Sequence, residues 1–155
     1  MHLPMELIPI DDHERLFIGT AITDWGPIEA TGIRLVIDLE DGLDGGVPTA
    51  PDRILYVYFP MRDAELPNPA SLRHTAAFAA AMYRSDHKVL VHCEMGYNRS
   101  ALMGGLILHE LGWAGADAVT RLVERRPGAL FNEVFRAYLL GLPRAIGTEG
   151  LPEPR

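Results

Sequence analysis

The chain has 155 residues and a formal net charge of −7, with 48% hydrophobic and 23% charged residues. This length suits one hydrophobic core and is short for two, so we expect a single domain over residues 1–155. The negative charge disfavours nucleic acid and anionic membranes as partners, because both are bound mainly through Lys and Arg, and no apolar run is long enough to span a bilayer.

Short apolar runs rich in β-branched residues predict buried strands. They lie at residues 16–22, 33–39, 53–60 and 88–93. The last run, KVLVHC, is almost continuous in Val and Leu, which is typical of a strand at the centre of a sheet covered on both faces. Residues 40–52 and 61–69 are rich in Gly, Pro and Asp, which predicts loops, the first of them a flexible surface loop.

Helices dominate the second half of the chain. Residues 70–84 are rich in alanine with apolar side chains at helical spacing, and further helical patterns begin at Ser100, near Ala114 and after Asn132, a residue suited to cap a helix. Strands that alternate with helices predict an α/β fold, with a central, mostly parallel, twisted sheet of four to five strands flanked by helices on both faces. We place the core at residues 15–142, followed by a short flexible C-terminal tail.

A single cysteine lies between the last predicted strand and the next helix, in the stretch VLVHCEMGYNRSALMGG. The turn after Cys93 consists of Glu94, Met95, Gly96, Tyr97, Asn98 and Arg99. Ligands of α/β proteins bind at the carboxyl edge of the sheet, and a tight turn at a helix N-terminus directs backbone N–H groups and positive potential at one point. The turn therefore predicts an anion-binding loop.

The residue types around this loop indicate nucleophilic chemistry. A thiol at the floor of an anion cradle loses its proton readily, which predicts that Cys93 is a nucleophile. The planar guanidinium of Arg99 can bind two oxygens of a tetrahedral oxyanion. Ser100, at the start of the helix, can place its hydroxyl near the sulfur and stabilise the thiolate when it leaves a covalent intermediate.

The segment HCEMGYNRS resembles the signature of the cysteine-dependent protein phosphatases, and it is most similar to the dual-specificity subgroup. Residues 15–24, 32–40 and 125–135 resemble further segments of that family. The resemblance implies phosphoryl transfer to Cys93 and hydrolysis of the phosphocysteine by water, with the turn binding phosphate and with no metal or cofactor. It also implies that His92 acts indirectly, by bonding the loop backbone and supporting the thiolate.

The family also uses an aspartate as general acid, on a loop about thirty residues before the cysteine. Asp63 lies on the predicted loop 61–69, thirty positions before Cys93, and is the predicted acid. Glu65, Asp52 and Asp86 are the carboxylates with which it could be confused.

Several positions admit more than one interpretation. Tyr97 either stacks on a substrate at the rim or packs sideways, and Arg125 and Arg126 fit a structural role near a helix end. The acidic loop 40–52 could flank the site and select substrates, although a simple surface loop is the more common case. Glu94, in a turn without lysine, disfavours polyanionic ligands, because phosphoinositide-directed relatives tend to carry lysines there.

We expect an enzyme that hydrolyses phosphotyrosine in phosphorylated proteins or peptides, with phosphoserine and phosphothreonine as further candidate substrates. A chain this short has little room for loops that would wall a deep pocket. The alternatives are a catalytically weak phosphate-binding module, a phosphatase of a small-molecule or lipid phosphate, and the sulfur or arsenate chemistry of other cysteine-loop proteins. Since residues 1–16 lack a secretion signal and one cysteine fits a reducing compartment, we expect a cytoplasmic protein, and a monomer.

Overall fold

The computed structural model describes residues 4–144. Within this range the chain forms, in order, β1 (Leu7–Pro9), β2 (Leu16–Gly19), α1 (Gly26–Thr31), β3 (Ile33–Asp38), β4 (Leu55–Tyr58), α2 (Pro69–Arg84), β5 (Lys88–His92), α3 (Arg99–Glu110), α4 (Gly115–Arg125) and α5 (Glu133–Leu140). None of these helices is long and apolar enough to cross a membrane. The predicted C-terminal tail lies largely outside the described residues.

The strands form one sheet in the order β1-β2-β5-β3-β4. All neighbours are parallel except the pair β1–β2, which is antiparallel and lies at one edge. The Val- and Leu-rich β5 is central, as its composition predicts, and its residue His92 lies in register with Gly19 of β2 and Asp38 of β3. Because the carboxyl ends of three parallel strands meet there, the residue after His92 emerges at the middle of the sheet edge.

The two faces of the sheet are covered unequally. Helices α2 to α5 pack on one face and form the main core with alternate strand residues such as Ile18, Ile37 and Val91. The opposite face carries a small cluster in which Ile28 of α1 contacts the residues that point the other way, among them Val36 and Leu90. Helices on both faces of a mostly parallel sheet confirm the predicted α/β fold.

The structure differs from the sequence prediction mainly in its short elements. The predicted strands at 16–22 and 53–60 are longer than the observed β2 and β4, because their ends turn into the loops at the sheet edge. The edge strand β1 and the helix α1 have no counterpart in the prediction. They have three and six residues, too few to show a hydrophobic period.

Helices α4 and α5 pack in backbone contact at Gly115. A Cβ atom at this position would lie 1.7 Å from the carbonyl oxygen of Leu139 and 2.9 Å from that of Leu142. The backbone N–H of Gly115 also donates to the Leu142 carbonyl at 2.8 Å. The missing side chain therefore sets how closely the start of α4 approaches the end of α5.

Candidate active site

Cys93 directly follows the central strand and is 2% exposed. Its Sγ accepts a hydrogen bond from the backbone N–H of Gly96 at 3.3 Å and lies 3.3 Å from the hydroxyl oxygen of Ser100. The sulfur thus accepts from the turn and, as a thiol, donates to the Ser100 hydroxyl oxygen in the first turn of α3.

The tight turn after Cys93 depends on Gly96. This residue has a φ of +75°, and a Cβ atom there would lie 3.3 Å from the carbonyl oxygen of Gly19. The turn is also bonded to the end of β2, since Cys93 N–H donates to Gly19 and Ala21 N–H donates to the Glu94 carbonyl. The side chains of Glu94 and Met95 are exposed. The predicted phosphate-binding turn is therefore held by backbone contacts and presents two of its side chains to solvent.

Arg99 is the first residue of α3 and lines a cleft at this edge of the sheet. One terminal nitrogen, Nη1, donates to the Met61 carbonyl at 3.3 Å. Its Nε is buried and has no hydrogen-bond partner among the described residues. A buried N–H group needs an acceptor, and an anion bound in the cleft would supply one.

Asp63 lies on the segment between β4 and α2 and lines the same cleft as Arg99. Both of its carboxylate oxygens accept amide hydrogen bonds, at 2.9 Å from Asn98 and at 2.9 Å from Asn132. Of the three alternative acids, Glu65 also lines the cleft, with its side chain 65% exposed and 3.7 Å from Arg62.

The other two alternatives lie at other places in the fold. Asp86, after α2, forms an ion pair with Arg15, and Asp52 lines a separate depression beside Ile33 and Arg53. Neither residue is among those that line the cleft beside Arg99. Of the four acids considered from the sequence, Asp63 and Glu65 line the cleft, and Asp63 is the one whose carboxylate accepts two amide hydrogen bonds.

His92 is fully buried and surrounded by carboxylates. Its Nε2 lies 2.7 Å from Asp44 and 3.6 Å from Asp38, while its Nδ1 lies 3.5 Å from Glu40. Nδ1 has no hydrogen-bond partner within residues 4–144. The expected bond from His92 to the loop backbone is therefore not formed, because this chain places acidic side chains around the ring instead.

Each of the four side chains in this cluster offers one ligand atom, and these atoms lie within 4.8 Å of one another. That spacing is within reach of a metal site, but the 2.7 Å between Nε2 and Asp44 is a hydrogen-bond distance. His92 and Asp44 are therefore hydrogen-bonded to each other. Burial raises the pKa of Glu40, His92 lowers it, and Asp38 and Asp44 raise it further.

The acidic loop 40–52 is thus more than the simple surface loop that the sequence favours. Asp41 lines the cleft, and the Asp44 side chain is 4% exposed against His92. Backbone N–H groups of the loop donate to the hydroxyls of two β4 tyrosines, Gly42 to Tyr58 and Asp44 to Tyr56. The loop therefore flanks the site, which is the interpretation that the sequence favoured less.

Tyr97 packs sideways. The guanidinium of Arg126 lies 4.2 Å from its ring centroid, and the Phe131 ring lies 6.2 Å away at a tilt of 52°. Arg126 also donates to the Met95 carbonyl at 2.7 Å and forms a 2.7 Å ion pair with Glu6. Arg126 thus contacts both the backbone and the Tyr97 ring of the turn. Its position at a helix end does not predict these contacts.

Asn98 is buried and points away from solvent, although it belongs to the turn. Its amide nitrogen donates to Asp63, and its amide oxygen accepts from the backbone N–H of Asn132. Asn132 caps α5 as predicted, by accepting from Phe135 N–H, and it contacts Asp63 with its amide nitrogen. The sequence predicts the cap but not this contact, which joins residues far apart along the chain.

A cysteine after the central strand and an arginine at the start of the next helix, with an aspartate across the cleft, define the class of the cysteine-dependent phosphatases. Comparison of the chain with known protein families identifies the branch of that class. The chain matches the model of the dual specificity phosphatase catalytic domain over residues 16–144 and belongs to this family. This match confirms the resemblance noted in the sequence.

Solved structures agree with this assignment. The chain is 26% identical to a mouse protein assigned to the dual specificity phosphatases and complexed with zinc tungstate, with a TM-score of 0.74 and coverage of 90% of this chain and 87% of that one. For human DUSP28 the identity is 25%, the TM-score 0.74 and the coverage 89% and 93%.

The human tyrosine phosphatase-like serine/threonine/tyrosine-interacting protein shares the fold, with 24% identity, a TM-score of 0.69 and coverage of 86% and 92%. A sequence search of curated proteins found no match.

Proposed function

We propose that this chain is a phosphomonoester hydrolase that forms a phosphocysteine intermediate on Cys93 and acts on phosphorylated proteins or peptides. The observation that carries the proposal is one buried sulfur with two hydrogen-bonding groups beside it and an arginine at the start of the next helix. Gly96 N–H and the Ser100 hydroxyl reach Sγ, and Arg99 lines the cleft with a buried N–H that lacks an acceptor among the described residues. In this proposal a phosphate ester binds to Arg99 at the cleft and is attacked by the sulfur of Cys93, which lies six residues earlier on the same turn.

In the first step, the Cys93 thiolate attacks phosphorus and the bond from phosphorus to the leaving oxygen breaks. Asp63 transfers its proton to that oxygen, which leaves as an alcohol or phenol. Arg99 binds two of the phosphoryl oxygens through its planar fork while their charge is redistributed. The product of this step is a phosphocysteine and an Asp63 carboxylate.

In the second step, a water molecule attacks the phosphorus atom of the phosphocysteine. The Asp63 carboxylate takes the proton of this water, the sulfur–phosphorus bond breaks, and the Cys93 thiolate leaves. The Ser100 hydroxyl stabilises the departing thiolate, to which it lies close. The cycle releases inorganic phosphate and regenerates the enzyme with its acid protonated, and no step requires a metal or a redox cofactor.

The charge at the cleft supports a protein or peptide substrate. Asp41 and Glu65 line the cleft together with Asp63, and Glu94 is exposed on the turn. Carboxylates at the rim repel a ligand that carries several phosphates, so we disfavour phosphoinositides. We propose phosphotyrosine as the main substrate, with phosphoserine and phosphothreonine also able to reach the sulfur. That the protein works as a cytoplasmic monomer stays a prediction.

The test compares wild type and Cys93→Ser on a panel of phosphotyrosine, phosphoserine and phosphothreonine peptides, a phosphoinositide and para-nitrophenyl phosphate. We expect turnover of the peptides by wild type, none by the variant, and retained binding of tungstate, a phosphate analogue, by both. Mass spectrometry after rapid quenching should find one phosphoryl group on Cys93. Peptide binding without turnover would support a phosphate-binding module instead, and turnover of the phosphoinositide alone would support a lipid phosphatase.

A further inference from the structure

Asp63, Asn98 and Asn132 form a closed hydrogen-bonded triangle. Asn98 donates to Oδ2 of Asp63 and Asn132 donates to Oδ1, both at 2.9 Å, and the Asn132 backbone N–H donates to Oδ1 of Asn98 at 2.9 Å. The three residues come from different places: the segment before α2, the turn after Cys93 and the cap of α5. The triangle therefore ties three separate elements together at the cleft.

The chemistry of the groups fixes the orientation of both amides. An ionised carboxylate only accepts hydrogen bonds, so the amide atoms that face Asp63 must be the NH₂ groups. A backbone N–H only donates, so the Asn98 atom that faces Asn132 must be the oxygen. The second hydrogen of the Asn132 amide reaches the Ala64 carbonyl at 3.2 Å, and its oxygen accepts from Phe135 N–H. Every polar group of the Asn132 side chain is thus occupied.

This arrangement leaves Asp63 able to carry a proton. A carboxylate has about four lone-pair sites on its two oxygens, and the two amides use one on each. The remaining sites can hold the proton that passes to a leaving oxygen. The amides thus restrict the rotation of the carboxyl group and leave its proton-carrying sites free, which is what a positioned acid requires.

We infer that Asn98 and Asn132 are positioning residues that hold Asp63 as the general acid and link it to the phosphate-binding turn. The inference rests on the proposed function. Asn98 immediately precedes Arg99, so a shift of the turn moves the acid with it. Since a general acid contributes about 10² to 10⁴ in rate, a displaced Asp63 should lose a large part of that factor.

The sharpest variant is Asn132→Ser, because serine keeps a hydroxyl oxygen to cap α5 and removes the amide that contacts Asp63. The matched control is Asn68→Ser, since Asn68 caps α2 by accepting from Ala70 and Ser71 N–H. Asn98→Ser is the second test variant. Tungstate binding checks that the phosphate-binding turn is intact in each protein.

The readout is kcat/KM for aryl phosphates with good and poor leaving groups. We expect Asn132→Ser and Asn98→Ser to lose about 10-fold or more with phenyl phosphate and less than about 3-fold with 2,4-dinitrophenyl phosphate, whose leaving group needs no proton. Asn68→Ser should match wild type on both. Equal losses on both substrates would overturn the inference, because they would indicate general damage to the site.

A double variant tests whether the asparagines act through Asp63. In an Asp63→Ala background, Asn132→Ser should cause no further loss with phenyl phosphate, because the group that it positions is gone. A persistent loss would overturn the positioning role and leave the proposed function standing. Wild type that hydrolyses no aryl phosphate would instead contradict the proposed function, and the positioning role with it.

Discussion

His92 and Cys93 are neighbours in the chain, but their side chains have very different surroundings. A neutral imidazole has one N–H donor and one lone pair, whereas His92 faces Asp44 at one nitrogen and Glu40 at the other. Only the contact to Asp44 is a hydrogen bond, and Nδ1 has no hydrogen-bond partner among the described residues. Burial raises the pKa of Glu40, whereas the neighbouring His92 lowers it.

Asp44 is the closest partner of the His92 ring. Asp44→Ala leaves the buried Nε2 without an acceptor, so we expect the free energy of unfolding to fall by about 1–3 kcal/mol. Urea denaturation measures this change. The matched control is Asp41→Ala, which removes an exposed carboxylate from the same loop and should change stability by less than about 0.5 kcal/mol. Equal effects of the two variants would contradict the buried hydrogen bond.

At the scale of elements, the approach of α4 to α5 depends on the absent side chain of Gly115. Residues next to these two helices contact the candidate site: Arg126 follows α4 and contacts the predicted phosphate-binding turn, while Asn132 caps α5 and contacts Asp63. A change in their packing should therefore reach the active site.

Gly115→Ala tests this packing. The new Cβ would lie 1.7 Å from a carbonyl oxygen, so the two helices must move apart. We expect the free energy of unfolding, measured by urea denaturation, to fall by about 1–3 kcal/mol, together with a lower kcat/KM. Gly141→Ala is the control, because its nearest contact is 3.5 Å and its φ is −78°. It should be neutral or stabilise by up to about 1 kcal/mol.

The sequence predicts best those parts of the site that are close together along the chain. Strand β5, the turn and the start of α3 are contiguous. The roles of Cys93, Arg99 and Ser100 could therefore be predicted from one segment. Asp63 could be predicted as the acid only from the distance along the chain that the family keeps between its acid and its cysteine. The amide contacts to Asp63 and the carboxylates around His92 could not be predicted, because each depends on which strands and loops become neighbours in the folded sheet.

At the scale of the whole molecule, Asp11 joins the β1–β2 connection to helix α2. Its carboxylate accepts from the backbone N–H groups of Arg15 and Leu16 and, at 2.7 Å, from the Tyr83 hydroxyl. The guanidinium of Arg15 lies over the Tyr83 ring at 4.1 Å and donates to the Tyr83 carbonyl. Burial, followed by the hydrogen bond to Asp11, raises the pKa of Tyr83 well above its usual value.

The raised pKa predicts how stability depends on alkaline pH. The native state keeps the phenol neutral, whereas the unfolded chain ionises it above about pH 10. The contribution of Tyr83 is therefore complete below that pH and is lost as the pH rises towards the native pKa, by about 1.4 kcal/mol between pH 9 and pH 11. Tyr56, whose pKa burial and its hydrogen bond to Asp38 also raise, should add a similar loss.

Urea denaturation of wild type and Tyr83→Phe across this pH range checks the prediction. The variant should be less stable at pH 8, because Asp11 loses a donor, yet it should lose less stability than wild type between pH 9 and pH 11. Tyr138→Phe is the control and should keep the wild-type pH dependence, since it leaves the bonds to Asp11 and Asp38 intact. Parallel pH profiles for wild type and Tyr83→Phe would show that the buried phenol does not link alkaline pH to unfolding.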